Sequence, residues 1–377
     1  FEAREKGIKY WALLGETHMY LKTRAEARPF YLKAIEIVPG NSEEWLYLGH
    51  SFDDLDRHQE ALAAYDQAVD LDQRHCAAWS SRGNVLIPLG RYEEALAAYE
   101  QAISVDPRKY YCWDGKGNAL DILGRHEEAL IAYDQAISLD PQDSAPWNGK
   151  GNALDNLGRH EEALVAYEQA VSLDPRYYRA WHGQGNALSS LGRHEEALAA
   201  YNRAVNLDPK EYYHWNGRGN ALYSLDRLEE ALTAYDQAID LDPRKSYAWD
   251  GKGSVLYCLG RYEESLKAYE RAIELDPDAY YPWSGKGDAL AALGRLEEAL
   301  EAYDQAISLD FWSDQAWIAK GNALDSLGRH EEALRAFDQA IVNNPRNYYP
   351  WLGKGQALNS SGHHVENHKN KTEPGKD

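Results

Sequence analysis

Cysteine is rare in this chain of 377 residues, where it occurs only at Cys76, Cys112 and Cys258. The odd number and the lack of any CxxC spacing fit a reducing compartment better than a disulfide framework. Long apolar runs are lacking as well, so no segment is a candidate transmembrane helix. We therefore predict a cytoplasmic protein with no membrane partner. Because the chain begins at Phe1 and has Met19 as its only methionine, we interpret it as a fragment or a processed product.

Basic residues are also fewer than acidic residues. The sequence has 40 basic and 61 acidic residues, which gives a formal net charge of −21. A surface of this sign repels nucleic acid and anionic membranes. The composition therefore argues against nucleic acid as the partner and favours a basic or neutral protein or peptide.

Catalysis requires a combination of polar residues that occurs once in the chain. Such a combination is missing here, because almost every polar residue recurs in many copies. Glu-Glu pairs recur at one repeat position, as expected for the starts of helices. Five histidines also share one repeat position and are too far apart to bind one metal ion: His58, His126, His160, His194 and His330. No phosphate-binding glycine loop, nucleophile elbow or zinc spacing is present. We predict that the protein is not an enzyme and has no catalytic residue, cofactor or metal site.

What the sequence does contain is one tryptophan every 34 residues. The series runs without an insertion: Trp11, Trp45, Trp79, Trp113, Trp147, Trp181, Trp215, Trp249, Trp283, Trp317 and Trp351. A fixed period of this length predicts stacked repeats, in which each unit buries its apolar face against the next. We divide the chain into an N-terminal extension (1–7), ten complete repeats (8–347), a single helix of an incomplete eleventh repeat (348–361) and a disordered polar tail (362–377).

Each repeat is predicted to form two helices, as residues 113–141 illustrate. Trp113, Gly117 and Leu120 fall on one face of a first helix, because their spacing follows the helical period. The segment 123–125 ends this helix with a glycine. Two acidic residues start a second helix, whose packing face includes Ala129 and Tyr133, and a proline at 141 closes the unit.

This pattern of Trp, Gly, Leu, Ala, Tyr, Ala and Pro resembles the tetratricopeptide repeat, and the resemblance covers residues 8 to about 361. The family implies an all-α fold, a right-handed α-solenoid superhelix of antiparallel helix pairs, and a role as a protein–protein interaction scaffold. One departure is shared by several copies. Lysine, as at Lys116, stands where the family often has leucine, and we expect its aliphatic stem to cover the seam while its ammonium reaches water.

Binding sites of stacked-repeat proteins usually lie on the concave face, and the candidates there follow from the first helix. With Trp113, Gly117 and Leu120 committed to packing, the opposite side of the helix carries three rows of residues. The first row is asparagine: Asn84, Asn118, Asn152, Asn186, Asn220 and Asn322, interrupted by Ser254 and Asp288. The second row is aromatic: Tyr111, Tyr213, Tyr247, Tyr281 and Tyr349. The third row is acidic or polar and includes Asp114 and Asp250, with Asp121 and Asp155 beside it.

An evenly spaced asparagine row offers hydrogen-bond donors and acceptors to the backbone of an extended peptide, whatever its sequence. Tyrosine adds flat contact area at low entropic cost. Superhelical tetratricopeptide proteins such as the O-GlcNAc transferases carry an asparagine ladder in the groove, and the resemblance supports this use, although their ladder stands at the position of Gly115. The alternative is that these asparagines are consensus residues that bond to a neighbouring helix.

Two further features limit the choice of partner. The first groove position, residue 12 and its copies, has no basic residue, which argues against the carboxylate clamp of co-chaperones with this fold. Phe311 and Trp312 follow Asp310 where most repeats have proline, and they indicate either a repacked junction or an exposed contact patch. Two other functions stay open. One is a regulatory or sensor arm of a larger effector, and the other is end-to-end self-association through the apolar face of the incomplete eleventh repeat.

Overall fold

The computed structural model describes residues 2–21 and 24–361, and within them it contains 21 helices and no strand. In chain order these are α1 (Glu2–Leu21), α2 (Arg24–Ala34), α3 (Ser42–Asp53), α4 (His58–Leu71), α5 (Cys76–Leu86), α6 (Tyr92–Val105), α7 (Tyr110–Ile122), α8 (His126–Leu139), α9 (Ser144–Asn156), α10 (His160–Leu173), α11 (Tyr178–Ser190), α12 (His194–Leu207), α13 (Tyr212–Ser224), α14 (Leu228–Leu241), α15 (Ser246–Cys258), α16 (Tyr262–Leu275), α17 (Tyr280–Ala292), α18 (Leu296–Leu309), α19 (Asp314–Ser326), α20 (His330–Asn343) and α21 (Tyr349–Ser360). The predicted polar tail at 362–377 lies outside the described residues.

Each odd-numbered helix from α1 to α19 packs against the even-numbered helix that follows it, and the two are the first and second helices of one repeat. The chain divides into two compact units, Phe1–Leu207 with α1 to α12 and Asp208–Asp377 with α13 to α21. Within each unit, consecutive first helices contact each other, whereas the described second helices contact only first helices. First helices therefore lie closer to one another than second helices do within each unit. The predicted all-α solenoid of helix pairs is confirmed.

A residue in the left-handed conformation ends most first helices. Gly124 has φ +74°, and the N–H of the next residue, Arg125, donates to the carbonyl of Leu120 at 2.9 Å. This is the conformation that glycine adopts without a steric penalty. The predicted glycine stop is confirmed, and Asp56 and Asp226 take the same conformation with φ of 60° and 58°.

A buried tyrosine joins each repeat to the next. Tyr133 of α8 is 1% exposed, and its ring lies between Gly117 in the first helix of its own repeat and Gly149 in that of the next. A Cβ added at these glycines would lie 2.6 Å and 2.4 Å from the ring. Two glycines flank the aromatic ring in the same way at Tyr99, Tyr167, Tyr235, Tyr269 and Phe337. These glycines are packing residues, as the sequence predicts.

The periodic tryptophan closes the turn between repeats. The indole N–H of Trp113 donates to the carbonyl of Pro107 at 2.9 Å. The same bond, to the residue six positions earlier, is made by Trp79, Trp147, Trp181, Trp215, Trp249, Trp283 and Trp317. Lys116 Nζ lies 5.9 Å from the centre of the Trp113 ring and 3.0 Å from the carboxylate of Glu100 in the preceding repeat. The lysine thus links two repeats by an ion pair, where the sequence predicts only a solvent-facing ammonium.

Candidate functional site

The asparagine row lies on the first-helix surface, which we define as the face that the odd-numbered helices present within each unit. In repeats three to seven the hydroxyl of the buried tyrosine donates to the asparagine Oδ1: Tyr99 to Asn84 at 2.7 Å, Tyr133 to Asn118 at 2.9 Å, Tyr167 to Asn152 at 2.8 Å, Tyr201 to Asn186 at 2.7 Å and Tyr235 to Asn220 at 2.7 Å. Asp288 accepts the same bond from Tyr303 at 2.8 Å, whereas Phe337 has no hydroxyl to offer Asn322. The amide oxygen therefore bonds within the fold. This favours the alternative interpretation, in which the asparagines bond to a neighbouring helix. The amide nitrogen is the group left to donate to a ligand.

The third row, at the residue after the tryptophan, holds buried acceptor atoms without a donor in three of the repeats. Asp114 Oδ1 and Asn148 Oδ1 in the first unit, and Asn216 Oδ1 in the second, are shielded from solvent and have no hydrogen-bond partner. Asn148 as a whole is 7% exposed. The other carboxylate oxygen of Asp114 accepts a bond from Asn118 Nδ2 at 3.3 Å. Because buried polar atoms in proteins are nearly always bonded, these acceptors are the atoms of this surface that most need a partner.

Burial also changes the protonation of the carboxyl groups on this surface. Burial, with a smaller effect from the carboxylate of Asp143, raises the pKa of Asp114 to about 7. Burial raises the pKa of Asp250 to about 6, and it raises the pKa of Asp288 as well. The low local polarity disfavours the charged carboxylate in each case. A cation placed against one of these groups would favour the charged form again.

A cavity of about 270 Å³ brings the three predicted rows together between α5 and α7. Its polar lining consists of Ser80, Ser81, Asn84, Tyr111, Asp114 and Asn118. It thus contains members of the asparagine row, one aromatic residue and the buried carboxyl. None of the residues that line it is basic. The sequence places these residues on one face, but the two serines were not among the predicted site residues.

Comparison with known proteins settles the family of this chain. A sequence model of the tetratricopeptide repeat matches residues 46–102, 81–144, 148–212, 182–246 and 251–316. Two further models of the same repeat match residues 314–347 and 8–41. The chain belongs to the tetratricopeptide-repeat family. Members of this family bind protein or peptide partners, and a search of proteins with curated descriptions gave no match.

This tetratricopeptide-repeat protein is also similar to solved structures. One is the "APC/C hetero-tetramer Cut9-Hcn1", with 13% sequence identity and a TM-score of 0.54 over 93% of this chain and 96% of that one. At this identity the likeness concerns the fold alone. Another is "YrrB: a TPR protein with an unusual peptide-binding site", with 26% identity and a TM-score of 0.42 over 50% of this chain and 97% of that one.

The acidic residues beside the third row bond to histidines of their own repeats, and Asp121 Oδ1 also accepts from Asn156 Nδ2 of the next repeat at 3.4 Å. Asp121 accepts from His126 Nδ1 at 2.6 Å, and Asp155 accepts from His160 Nδ1 at 2.6 Å. Each bond joins the end of a first helix to the start of the second helix. This favours a structural role for the two carboxylates over the predicted ligand contact. The histidine row lies at the start of the second helix, as the sequence predicts.

The aromatic row of this tetratricopeptide-repeat protein is open to contact. Tyr281 is 73% exposed, Tyr247 43% and Tyr111 37%. Tyr213 is half-buried and its ring lies 4.2 Å from that of His214. The row therefore contributes apolar area to the first-helix surface, while its role in binding stays a prediction.

Phe311 and Trp312 form the turn between α18 and α19 and are 48% and 73% exposed. The carbonyl of Phe311 accepts from Trp317 Nε1 at 3.0 Å and from Asn343 Nδ2 at 2.8 Å. The backbone is thus fixed as a repacked junction, while both side chains stay accessible as the contact-patch interpretation requires. At the other predicted contact, α21, the side chains of Trp351 and Leu352 are exposed, and self-association there stays a prediction.

A larger cavity of about 560 Å³ lies among α16, α17 and α18, and no sequence pattern indicates it. Both of its basic residues are paired with acidic residues of the lining: Lys286 with Glu270 at 3.4 Å and Arg295 with Glu298 at 2.6 Å. It therefore offers fewer unsatisfied groups than the cavity beside Asp114. Among the described residues no group of three His, Cys, Asp or Glu is placed to hold a metal ion. None of their helices is long and apolar enough to cross a membrane.

Proposed function

We propose that this protein is a non-enzymatic scaffold that binds an extended polypeptide along its first-helix surface and prefers basic or neutral segments. Family membership supports a protein or peptide partner. The finer assignment, to an extended chain of this charge, rests on the hydrogen-bonding groups of the surface.

The observation that carries the proposal is the row of buried acceptors without donors. An unbonded buried polar atom costs about 1–3 kcal/mol. Asp114 Oδ1 and Asn148 Oδ1 stand at the same position of successive repeats, so the cost recurs along the surface. A ligand removes this cost when the side chains turn to present these oxygens to its N–H groups. Peptide N–H groups, lysine ammonium and arginine guanidinium all meet this requirement.

The donors on the same surface favour a peptide backbone over an isolated amine. The amide nitrogens of Asn84, Asn152 and Asn220 lie on exposed residues, and the oxygens of the same amides already accept from tyrosine. The asparagine row thus offers donors and the row after tryptophan offers acceptors. An extended backbone carries a C=O and an N–H at each residue, and its bonds to such groups give affinity without regard to sequence.

Charge determines which side chains of the ligand are favoured between the asparagine row and the row after tryptophan. Asp114 lies near the carboxylate of Asp143, and the cavity beside it has no basic residue. A lysine or arginine of the ligand gains from this field, whereas a glutamate would add a further negative charge and is repelled. The preference for basic over acidic segments follows from this difference.

The test uses three fluorescein-labelled twelve-residue peptides in which alanine alternates with lysine, glutamine or glutamate. Binding to the full chain is followed by fluorescence anisotropy. We expect the lysine peptide to bind most tightly, the glutamine peptide more weakly and the glutamate peptide not at all. A glutamate peptide that binds as tightly as the lysine peptide, or three peptides that all fail to bind, would contradict the proposal.

Two variants locate the binding surface. Asp114→Asn removes the charge but keeps the shape, and asparagine already stands at this position in Asn148 and Asn216. We expect it to weaken the lysine peptide about tenfold, which corresponds to about 1.4 kcal/mol, and to leave the glutamine peptide unchanged. Glu161→Gln makes the same charge change at the start of a second helix and is the matched control. If both variants lost the same affinity for the lysine peptide, the effect would come from the net charge of the protein rather than from this site.

A further inference from the structure

Cys76 and Cys112 are far apart in the sequence but lie together in the first unit, with their Sγ atoms 3.6 Å apart. Cys76 begins α5, and Cys112 is in the first turn of α7, two first helices that pack against each other. A disulfide needs a sulfur–sulfur distance of about 2.05 Å. Movement of the two side chains by about 1.5 Å in total would therefore close the bond. Cys258 belongs to the other unit and has Tyr223 OH at 3.7 Å.

The two thiols differ in access and reactivity. Cys112 is completely buried, whereas Cys76 is half-buried. Burial raises the pKa of the Cys112 thiol, and the neighbouring Cys76 raises it further. A thiolate is the reactive form, so the accessible Cys76 is the residue that an oxidant meets first. Cys112 then stands in contact with the oxidised sulfur.

We propose that Cys76 and Cys112 form an oxidation site, at which a hydroperoxide closes a disulfide between the third repeat and the fourth. In the first step the Cys76 sulfur attacks the peroxide. An S–O bond forms, the O–O bond breaks, and the thiol proton leaves with the departing alcohol or water, which gives a sulfenic acid. In the second step the Cys112 sulfur attacks Cys76. The S–S bond forms, the S–O bond breaks, and water leaves with the second thiol proton. Two thiols lose two electrons and the hydroperoxide gains them.

The disulfide would change the candidate binding surface. Tyr111 OH lies 4.0 Å from Cys76 Sγ, and both Tyr111 and Ala77 line the cavity beside Asp114. A covalent bond between α5 and α7 therefore holds the two helices that form this cavity. It also restricts the unfolded chain, which stabilises the folded state. We expect oxidation to raise the thermal midpoint.

The test treats the full chain with hydrogen peroxide, unfolds it, alkylates the free thiols with N-ethylmaleimide and measures the intact mass. The chain has three cysteines, so the reduced form takes three labels, and we expect the oxidised form to take one. Digestion with trypsin should then join residues 75–82 to residues 110–116 by a disulfide. Three labels after oxidation, or a crosslink that contains Cys258, would overturn the proposal.

Three variants assign the roles. Cys258→Ser should still close the bond and show a higher thermal midpoint that dithiothreitol reverses. Cys112→Ser should stop at a sulfenic acid on Cys76 that dimedone traps, and Cys76→Ser should form no disulfide within the chain. If Cys76→Ser reacts with peroxide as fast as the parent, Cys76 is not the residue attacked. If the same crosslink forms equally well in guanidinium, the fold does not create the site. None of these outcomes depends on the proposed peptide binding.

Discussion

Gly321 and Gly355 occupy the same repeat position, but only Gly321 has an aromatic neighbour. A Cβ at Gly321 would lie 2.6 Å from the Phe337 ring, whereas a Cβ at Gly355 would meet nothing within 4 Å. Overpacking costs about 1–3 kcal/mol, while alanine in a helix is otherwise favoured over glycine by about 0.5–1 kcal/mol. We expect Gly321→Ala to lower the urea midpoint and Gly355→Ala to leave it unchanged or raise it. The same shift in both variants would show that contact with the ring does not set the requirement for glycine.

The carboxyl of Asp114 makes stability depend on pH in a predictable direction. Its folded pKa of about 7 exceeds the unfolded value of about 3.9. Between these values the folded chain holds the extra proton, so the free energy of unfolding falls as the pH rises. The full loss, roughly 4 kcal/mol from about three pKa units, is reached above pH 7. We expect Asp114→Asn to be more stable than the parent at pH 8 by clearly more than at pH 5, because most of the loss in the parent accrues between pH 5 and pH 7.

Urea unfolding at both pH values measures this effect, and Glu161→Gln is again the control because it removes one charge from an exposed position. The control should change stability by less than about 0.5 kcal/mol at either pH. A gain for Asp114→Asn at pH 5 that equals the gain at pH 8 would rule out ionisation as the cause.

The sequence predicts only part of the residue-level site. Helical spacing is enough to place Asp114 and Asn118 on one surface, because each lies away from the packing face. It does not reveal that the Asn118 oxygen accepts from Tyr133 in the second helix, or that Asp114 Oδ1 has no donor. Those facts depend on how side chains from two helices meet. Spacing along one helix contains no such information.

At the scale of the element, Asp226 occupies a turn that favours glycine. Its φ is 58°, and the N–H of the next residue, Arg227, donates to the carbonyl of Leu222 at 2.9 Å, as in the turns that contain glycine. A residue with a Cβ is strained in this conformation by roughly 1 kcal/mol. We therefore expect Asp226→Gly to raise the urea midpoint. The reverse change one repeat later, Gly260→Asp, should lower it by a similar amount.

Both variants can be measured by urea unfolding followed by circular dichroism, with the slope of the transition compared to the parent. An unchanged slope shows that the surface exposed on unfolding is the same. If Asp226→Gly destabilises the chain, the aspartate side chain contributes more to the turn than its backbone strain costs.

The elements themselves could be predicted from the sequence, because caps, the turn glycine and apolar spacing all act within a few residues. Contacts between neighbouring first helices are harder to predict. Cys76 and Cys112 are separated by one 34-residue period plus two positions, and residues near one period apart meet when first helices stack. The sequence therefore contains an offset that is compatible with contact between the two cysteines. It predicts that contact only when the packing of α5 on α7 is known.

At the scale of the whole molecule, the period determines the architecture because no repeat can bury its tyrosine alone. Tyr133 needs Gly149 of the next repeat to cover its ring, so stacking follows from the sequence. The partner does not follow in the same way. In the proposed function, the net charge of −21 favours a ligand of opposite charge, while the unbonded acceptors of the first-helix surface favour a ligand that offers N–H groups.

These two effects act over different distances and should appear in different rate constants. The net charge attracts a basic peptide from beyond contact distance, and salt screens it over a Debye length of about 10 Å at 0.1 M. The carboxyl of Asp114 acts only at contact, so it affects how fast the peptide dissociates rather than how fast it associates. For the lysine peptide we expect the association rate constant to fall about tenfold between 20 and 300 mM NaCl. Asp114→Asn should instead increase the dissociation rate constant and change association less than about twofold.

Stopped-flow anisotropy at several salt concentrations separates the two rate constants. Glu161→Gln removes the same charge away from the first-helix surface, so it should change association as little as Asp114→Asn does and leave dissociation unchanged. If Asp114→Asn slowed association and left dissociation unchanged, its carboxyl would act as one charge among many. The acceptor row would then have no special part in holding the peptide, because a group that holds a ligand at contact must alter how fast that ligand leaves.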